Sequence, residues 1–411
     1  MNTPLLIWSY LKARPLNTVL NILLMALGTA VVTVLLLFNN QLQEKLSKNS
    51  KGVDLVIGAK GSPLQLILCN IFHIDYPTGN IKLFEAERIA RSRLVKTAIP
   101  LALGDSFESF RIVGTTRAYA DLYSASLAAG KWWQEDLEVN IGANVQQTTK
   151  LSIGDELTSA HGLTAGGHAH DEQHYIVSGI LSRTNTVLDN LILTNVESVW
   201  RVHGIPFASS QADTAASRSK LVPSTTAADS TTEITALVLR YRSALGAVQL
   251  PRIVNAQSSL QAASPAFEIA RLFSILGVGV DIMMGFAYLL IFISALSIFI
   301  ALYNSLKERR YDLAIMRTMG ASRAKLLWIL LGEGVVLTTL GCIAGIIMGH
   351  GALAALASAF AEAGQTGITG FIFYPEEWII LGGSLLLGVL CALIPAVQAY
   401  RTDIARVLAS Q

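Results

Sequence analysis

Four stretches of the chain carry no charged residue over the length of a membrane-spanning helix. Crossing the hydrocarbon core of a bilayer takes about 20 consecutive apolar residues in a helix. The first stretch lies between Arg14 and Glu44, and the other three follow Asp281. We therefore predict four transmembrane helices. The first is longer than the apolar region of a signal peptide and is followed by no small-residue cleavage site, so we expect a permanent anchor.

Lys and Arg residues predict the orientation of these helices. Six of them lie in the loop 307–325, whereas the loop 351–377 has none. Because short loops rich in Lys and Arg stay in the cytoplasm, we expect both termini and the loop 307–325 on that side. The predicted division is a cytoplasmic segment 1–15, a first helix with its stalk 16–43, an extracytoplasmic domain 44–270, a stalk with the second helix 271–306, a cytoplasmic loop 307–325, a third helix 326–350, a short extracytoplasmic loop 351–377, a fourth helix 378–400 and a cytoplasmic tail 401–411.

The segment 44–270 has the mixed pattern of an α/β domain. Residues 84–95 place apolar side chains at helical spacing, and residues 208–233 are mostly Ala, Ser and Thr, which predicts a flexible loop. Runs rich in Val and Ile predict strands at 54–59, 110–115, 139–142, 175–181, 188–194 and 234–241. The predicted fold is an α+β membrane protein, with four transmembrane helices and a large mixed α/β extracytoplasmic domain between the first and the second.

Composition agrees with this division and excludes other classes. Hydrophobic residues make up 52% of the chain and charged residues 15%, against about 25% charged residues in an ordinary soluble domain. A wholly soluble enzyme of this composition would expose too much apolar surface. The net charge of +2 argues against a nucleic-acid-binding protein. Three scattered cysteines form neither a disulfide framework nor a paired-cysteine metal site.

The sequence contains no motif that predicts catalysis. The glycines and lysine at 58–61 lack the spacing of a phosphate-binding loop. Neither a nucleophile elbow nor a zinc-protease helix stands out. We therefore expect no enzyme activity in this chain, and energy for any work would come from another chain.

A His-rich segment in the extracytoplasmic domain has two interpretations. Imidazole and carboxylate groups are good zinc ligands, and neighbouring glycines would let the segment wrap an ion. A solvated hairpin tip that happens to be rich in histidine is the other interpretation, and both stay open. The candidate ligands are His161, His168, His170, Asp171, Glu172 and His174.

The loop 307–325 predicts a short amphipathic helix. Gly320 is placed to end this helix, and Ser322 can cap the next one. Such a helix fits a groove, either at the membrane surface or in a partner protein, and the pattern does not choose between them. The apolar strip that we expect among its charges consists of Leu313, Ile315, Met316 and Met319.

The third span carries glycines at four-residue spacing, Gly341, Gly345 and Gly349. Small residues on one face allow close helix packing in lipid. Two acids, Asp281 and Glu333, lie in apolar surroundings. They fit either span ends near water or an ion relay.

Several of these segments resemble one known family, the FtsX-like permeases of the MacB and LolC/LolE type of ABC transporter. The loop 309–322 is similar to the family's coupling segment, and 326–349 is similar to the span that follows it. The tail 396–408 is similar to the family's last-helix ending, with Ile404 where the family has proline. The stretch 142–181 resembles a strand pattern of the outer domain.

The resemblance implies a mechanotransmission (type VII) permease in a bacterial inner membrane, with its large domain in the periplasm. Motion driven by ATP and Mg²⁺ in a partner ABC ATPase subunit would reach the periplasmic domain and export or extract a substrate there. The zinc interpretation would link this function to zinc homeostasis. The residues implied in ATPase coupling are Glu308, Arg309, Arg310, Asp312, Leu313, Ile315, Met316, Arg317, Met319, Gly320 and Ser322.

Other implied partners are a second copy or a paired permease, membrane lipid, and a periplasmic substrate-binding protein or lipoprotein. Nucleic acid is not among them, and no cofactor is expected in this chain apart from zinc at the His-rich segment. Two other functions stay open. One is a membrane-anchored regulator or scaffold that activates a periplasmic enzyme. The other is an autonomous ion-coupled transporter that uses Asp281 and Glu333, although no inverted repeat supports it.

Overall fold

The computed structural model describes residues 3–161, 169–205, 232–359 and 368–401. These residues form two compact units. The helical unit contains the described residues up to Leu42 and those from Leu276 onward, and the inserted unit contains the described residues of 43–275. The helices in chain order are α1 (Thr3–Ala13), α2 (Pro15–Ser50), α3 (Pro63–Asn70), α4 (Leu83–Ala90), α5 (Arg117–Leu122), α6 (Ala143–Thr149), α7 (Val196–Val202), α8 (Ala244–Gln257), α9 (Pro265–Glu308), α10 (Arg310–Thr318), α11 (Arg323–Ala359) and α12 (Glu377–Arg401).

Four of these helices, α2, α9, α11 and α12, are long and apolar enough to cross a membrane. The predicted number of spans is therefore confirmed. Their packing within the helical unit shows their relative directions. Ser297 of α9 bonds Asn21 of α2 at 2.6 Å, whereas Gly28 further along α2 faces Ile291 earlier in α9, so these two helices are antiparallel.

The inserted unit is built on a mixed sheet. Its strand order is β12-β1-β11-β3-β4-β9-β6-β8-β5, and β7 pairs with both β3 and β8. The pairs β4–β9 and β6–β8 are parallel, and the other pairs of this sheet are antiparallel. The strands are β1 (Leu55–Ala59), β2 (Ile81–Lys82), β3 (Val95–Phe107), β4 (Phe110–Gly114), β5 (Leu127–Gly130), β6 (Glu138–Ile141), β7 (Glu156–His161), β8 (Ala169–Leu181), β9 (Leu191–Thr194), β10 (Glu233–Ile234), β11 (Ala236–Tyr241) and β12 (Leu260–Ala263). Strands β2 and β10 form a second, two-stranded antiparallel sheet.

Two apolar clusters hold the inserted unit together. In the first, strands β1 and β11 pack with α4 and α8, and the indole of Trp200 is buried there while its Nε1 donates to the Glu233 carbonyl at 2.7 Å. In the second, Phe110, Val139 and Tyr175 join side chains of β4, β6 and β8. Burial of this apolar area is the main favourable term for folding of the unit.

All six predicted strand regions contain strands, so the mixed α/β prediction is confirmed. Two predicted elements have other boundaries in the structure. Residues 187–190 form a 3₁₀ turn before β9, and the helix predicted over 84–95 ends at Ala90 because Val95 already pairs with Tyr241 in the sheet. Strand β3 was not predicted, because Pro100 and Gly104 interrupt the run of strand-forming residues. The predicted loop 208–233 lies mostly outside the described residues, and its last residue, Glu233, belongs to β10.

Candidate coupling site

Helix α10 forms a short element between α9 and α11, and its end is defined by backbone geometry. Gly320 has a left-handed φ of +96°, which glycine adopts without a Cβ penalty. Its N–H donates to the Arg317 carbonyl at 3.0 Å, and the Ala321 N–H donates to the Met316 carbonyl at 2.9 Å. This pair of bonds is a Schellman motif. Ser322 Oγ then accepts from the Lys325 N–H at 3.2 Å, so α11 starts with a side-chain cap.

The two faces of α10 have different environments. Tyr311, Ile315 and Met319, which are four residues apart and share one face, are 45%, 37% and 77% exposed. Ala314 and Met316 are buried. The structure thus divides the apolar strip that we predicted, since Ile315 is exposed whereas Met316 is buried. The side chains of Arg310, Asp312 and Leu313 lie outside the described residues.

The buried face of α10 joins it to the membrane-spanning helices. Met316 belongs to a cluster with Leu306 of α9, Leu326 and Leu330 of α11, and two alanines near the end of α12, Ala396 and Ala399. Ala321 packs against the same cluster. This close packing attaches α10 to three of the spans.

Arg309 connects the same region to α1. Its guanidinium lies 3.9 Å from the centre of the Tyr10 ring, and Nη1 lies 3.9 Å from a carboxylate oxygen of Glu333. Both partners of this ion pair are largely buried, so Glu333 has a cationic partner inside the helical unit. Glu308 pairs with Arg14 and stays 60% exposed. Arg309 therefore points into the bundle, although the coupling interpretation placed it with the docking residues. Arg317 is partly buried, and Asp281 is exposed on α9.

The glycines of α11 face α2. A Cβ on Gly341 would lie 2.6 Å from Met25 Cβ, one on Gly345 would lie 2.6 Å from Thr29 Cβ, and Gly349 lies opposite Thr33 in the same way. Both stripes advance by four residues in the same direction, so α2 and α11 run parallel. These close distances leave no space for a side chain at the three positions.

Sequence reasoning missed a buried hydrogen-bonded group that we call the His350 clasp. It consists of His350, Gln41 and the segment 369–377. His350 Nδ1 lies 2.5 Å from the Gly370 carbonyl, and Nε2 lies 2.9 Å from Glu377 Oε2. A carbonyl only accepts, so Nδ1 carries a proton, and a second proton lies between Nε2 and the carboxylate. The other carboxylate oxygen of Glu377 accepts from the Tyr374 N–H at 2.9 Å.

The clasp also reaches α2. Gln41 Nε2 donates to the Thr369 carbonyl at 2.8 Å, and Gln41 Oε1 accepts from the Thr369 N–H at 2.9 Å. The Phe373 ring lies over His350 with 4.3 Å between ring centres. The clasp thus connects α2, α11 and the start of α12. The only sequence signal was the presence of an acid and a histidine at the ends of two predicted spans.

The His-rich residues lie mainly in two paired strands. His161 ends β7 and pairs in register with Asp105, while His170, Asp171, Glu172 and His174 belong to β8. Residue 168 and the side chains of 161–172 lie outside the described residues. His174 Nδ1 lies 2.9 Å from Thr158 Oγ1 on the neighbouring strand. Zinc binding by this segment stays a prediction.

Two other histidines of the inserted unit have buried partners. His203 Nδ1 donates to the Val199 carbonyl at 2.8 Å, and Nε2 lies 3.3 Å from Asp105, whose hydrogen bond raises the pKa of His203. His73 Nε2 lies 2.9 Å from the Tyr119 hydroxyl. Burial, together with the positive charge of Arg111, lowers the pKa of His73 to about 3.

We expect His73 to make the inserted unit sensitive to acid. The folded form keeps His73 neutral, whereas the unfolded chain binds a proton below the usual pKa of 6.5. Stability is therefore complete above that pH and falls as the pH drops toward 3, by up to about 1.4 kcal/mol per pH unit. Between about pH 6.5 and 5, the free energy of unfolding of the His73→Gln variant should fall by about 2 kcal/mol less than that of the unmodified protein. Calorimetry of the full chain in detergent measures this difference.

The matched control for this prediction is His203→Gln. Since the pKa of His203 is raised, its contribution is present at low pH and is lost as the pH rises through the folded-state value. The two variants should therefore change the pH profile in opposite directions. Identical pH profiles for the unmodified protein and His73→Gln would contradict the assignment.

Comparison with protein families identifies two matching regions. The family model for the MacB-like periplasmic core domain matches residues 18–241. The family model for the FtsX-like permease C-terminal domain matches residues 284–404. The second match contains the whole of α10 and the exposed face described above.

Comparison with single proteins gives shorter or more distant matches. The ABC transporter permease YknZ of Bacillus subtilis is 35% identical over 102 residues, which are 24% of this chain and 23% of YknZ, so the match spans about a quarter of that relative. The periplasmic region of MacB from Actinobacillus actinomycetemcomitans is 10% identical with a TM-score of 0.34, over 56% of this chain and 97% of that one. The extracellular domain of YknZ, a noncanonic ABC-type transporter from Gram-positive bacteria, is 11% identical with a TM-score of 0.30, over 52% and 99%.

Proposed function

Because the chain belongs to the family of FtsX-like permeases with a MacB-like periplasmic core domain, we propose that it is the permease subunit of an ABC transporter. In this proposal it lies in the inner membrane with both termini in the cytoplasm and the inserted unit in the periplasm. The basic loop 307–325 supports this orientation, because Lys and Arg in short loops stay on the cytoplasmic side. A partner ATPase binds and hydrolyses ATP.

The ATPase docks on the exposed face of α10, which is formed by Tyr311, Ile315 and Met319. The observation that carries this proposal is the division of α10 into an exposed apolar face and a buried face that packs on α9, α11 and α12. An apolar helix face of this kind fits a groove on a partner protein. The exposed Glu308 lies just before α10 and adds a charge near its start.

Motion of the ATPase then passes through α10 into the spans. The buried Met316 packs α10 against α9 and α11. Just before α10, Arg309 contacts Tyr10 of α1 and pairs with Glu333 of α11. Residues 15–42 of α2 belong to the helical unit and residues 43–50 to the inserted unit, and α9 is shared in the same way. Helices without a break can carry this motion along their length. The motion would drive the export or extraction of a substrate on the periplasmic side.

The double variant Ile315→Asp and Met319→Asp tests the docking face. Both side chains are exposed, so the substitutions leave the core of the helical unit intact. Placing two carboxylates in an apolar contact should weaken ATPase binding by about 2 kcal/mol or more, which is at least about 30-fold. Co-purification of the tagged permease with its ATPase, followed by a titration of ATPase into the purified permease, measures the loss.

The control is Ile74→Asp, the same change at an exposed position of the inserted unit. It should bind the ATPase like the unmodified protein. Full ATPase binding by the Ile315→Asp and Met319→Asp variant would reject α10 as the docking site. Met316 is unsuitable for this test, since an aspartate there would disturb the cluster with Leu306 and Leu326.

A further inference from the structure

One end of the helical unit places cations over aromatic rings. Lys12 Nζ lies 5.5 Å from the centre of the Trp8 ring in α1, and Lys307 Nζ lies 4.7 Å from the Tyr303 ring in α9. Arg323 at the start of α11 lies 5.9 Å from the ring of Tyr400 at the end of α12. We call these three pairs the cation–aromatic band. Arg309 at this same end lies over the ring of Tyr10, so the three exposed cations lie beside a fourth that is only partly exposed.

The three cations of the band are exposed, and no described acid pairs with them. Within the part of the chain that the structure describes, Lys12, Lys307 and Arg323 form no ion pair. Two other cations at this end do have one, since Arg14 pairs with Glu308 and Arg309 with Glu333. Among the described side chains at this end, Glu308 and Glu333 thus pair with Arg14 and Arg309, and Lys12, Lys307 and Arg323 are available for an anion.

Apolar side chains next to the band are exposed as well. Helix α1 buries Leu11 against α9 and α11, while Leu5 and Trp8 are 70% and 56% exposed. A helix with a buried face and an exposed aromatic and apolar face fits the interfacial plane of a bilayer. Tyr303 lies one helical turn from Lys307 on the side of the span, which is the order of an aromatic belt and a headgroup layer.

We infer that the cation–aromatic band binds the headgroups of anionic phospholipids in the leaflet at this end of the spans. Ammonium and guanidinium groups donate strong hydrogen bonds to phosphate oxygens. The rings of Trp8, Tyr303 and Tyr400 hold each cation at headgroup depth, and the exposed Leu5 and Leu16 contact the acyl chains. Charge complementarity favours a lipid with a net negative charge over a zwitterionic one. This inference concerns individual lipid headgroups and does not depend on ATPase docking.

Native mass spectrometry of the full chain in detergent, without ATPase, tests the inference. The probes are phosphatidylglycerol and phosphatidylcholine with identical acyl chains, so that a difference in binding reports the headgroup. We expect a clear preference for phosphatidylglycerol. Each of Lys12→Gln, Lys307→Gln and Arg323→Gln should reduce this preference by about fivefold, which corresponds to about 1 kcal/mol per cation near the membrane surface.

A matched charge control is the triple variant Lys51→Gln, Lys60→Gln and Lys96→Gln, at exposed positions of the inserted unit. It should keep the preference, and melting temperatures of all variants should show that they are folded. Equal loss in the control and the band variants would overturn the inference, as would equal binding of the two lipids. Competition by millimolar inorganic phosphate as effective as that by phosphatidylglycerol would reveal an anion site without lipid selectivity and would also overturn it. Discrimination between the two lipids that appears only after ATPase is added would also overturn it, because the band would then not be sufficient for lipid selectivity.

Discussion

Glu377→Ala is expected to destabilise the helical unit by about 3–5 kcal/mol, the usual loss when one partner of a buried charged pair is removed. The variant leaves His350 buried without its acidic partner and deprives the Tyr374 N–H of its acceptor. It also removes an acid from the first turn of α12, where the helix dipole favours negative charge. Thermal unfolding of the full chain in detergent measures the effect.

The neighbouring acid supplies the control, because Glu376 is exposed while Glu377 is buried. Glu376→Ala should change stability by less than about 0.5 kcal/mol. Glu377→Gln keeps an acceptor for Tyr374 and a neutral partner for His350, so a smaller loss of about 1–3 kcal/mol is expected. If Glu376→Ala and Glu377→Ala melt at the same temperature, the clasp contributes nothing to stability.

Gly345→Leu is expected to push α2 away from α11. The free energy of unfolding should fall by at least about 1–3 kcal/mol, the typical cost of overpacking a protein interior. Even an added Cβ would lie 2.6 Å from Thr29 Cβ and 2.7 Å from the Ala26 carbonyl oxygen. Neither of these atoms belongs to the movable end of a side chain, so the helices themselves must move. Thermal unfolding in detergent reports the loss, and reduced ATPase binding would follow only if α10 is also displaced.

The same helix offers a matched comparison, because a Cβ on Gly351 meets no heavy atom within 4 Å. Gly351→Leu should therefore leave the unfolding temperature almost unchanged. A second test is coupling between positions. Thr29→Gly should partly rescue Gly345→Ala, whereas Thr29→Ala should not, since alanine keeps the Cβ in question. Equal effects of leucine at 345 and 351 would mean that the close approach of α2 and α11 is not limiting.

Much of the fold was predictable because it depends on local patterns. Uncharged stretches of sufficient length predict membrane-spanning helices wherever they occur, and runs of Val and Ile predict strands. The end of α10 was also predictable, because Gly320 and Ser322 stop one helix and start the next through bonds to residues at most five positions away. The resemblance to the family's coupling segment also lies in this stretch, because a sequence motif is likewise a pattern of neighbouring residues.

The pairing of distant segments was not predictable in this way. Strand β3 contains a proline and a glycine that locally disfavour a strand, yet Leu101 pairs with Ala236 and Pro100 with Leu237. Neighbouring strands override this low local propensity, because they supply hydrogen-bond partners for most of the backbone N–H and C=O groups of β3. The order of strands in the sheet follows from such partners, which a pattern along the chain does not contain.

The face of α10 shows the same limit at the candidate site. Helical spacing placed apolar residues among charges, but only the surrounding helices decide that Met316 is buried while Ile315 and Met319 are exposed. The acid Glu333 looked like a residue in need of water or a relay, and the structure supplies Arg309 as its partner.

Hydropathy and turn chemistry along the chain thus determined the four spans, the position of the inserted α/β unit between the first two of them and the C-terminal end of α10, because these depend on neighbouring residues. Tertiary structure alone decided which face of α10 is free, which helix the glycines of α11 meet, and that Gln41 bonds Thr369 across 328 positions. Each of these depends on groups far apart in sequence, and hydrogen bonds and packing distances of that kind exist only after the chain has folded.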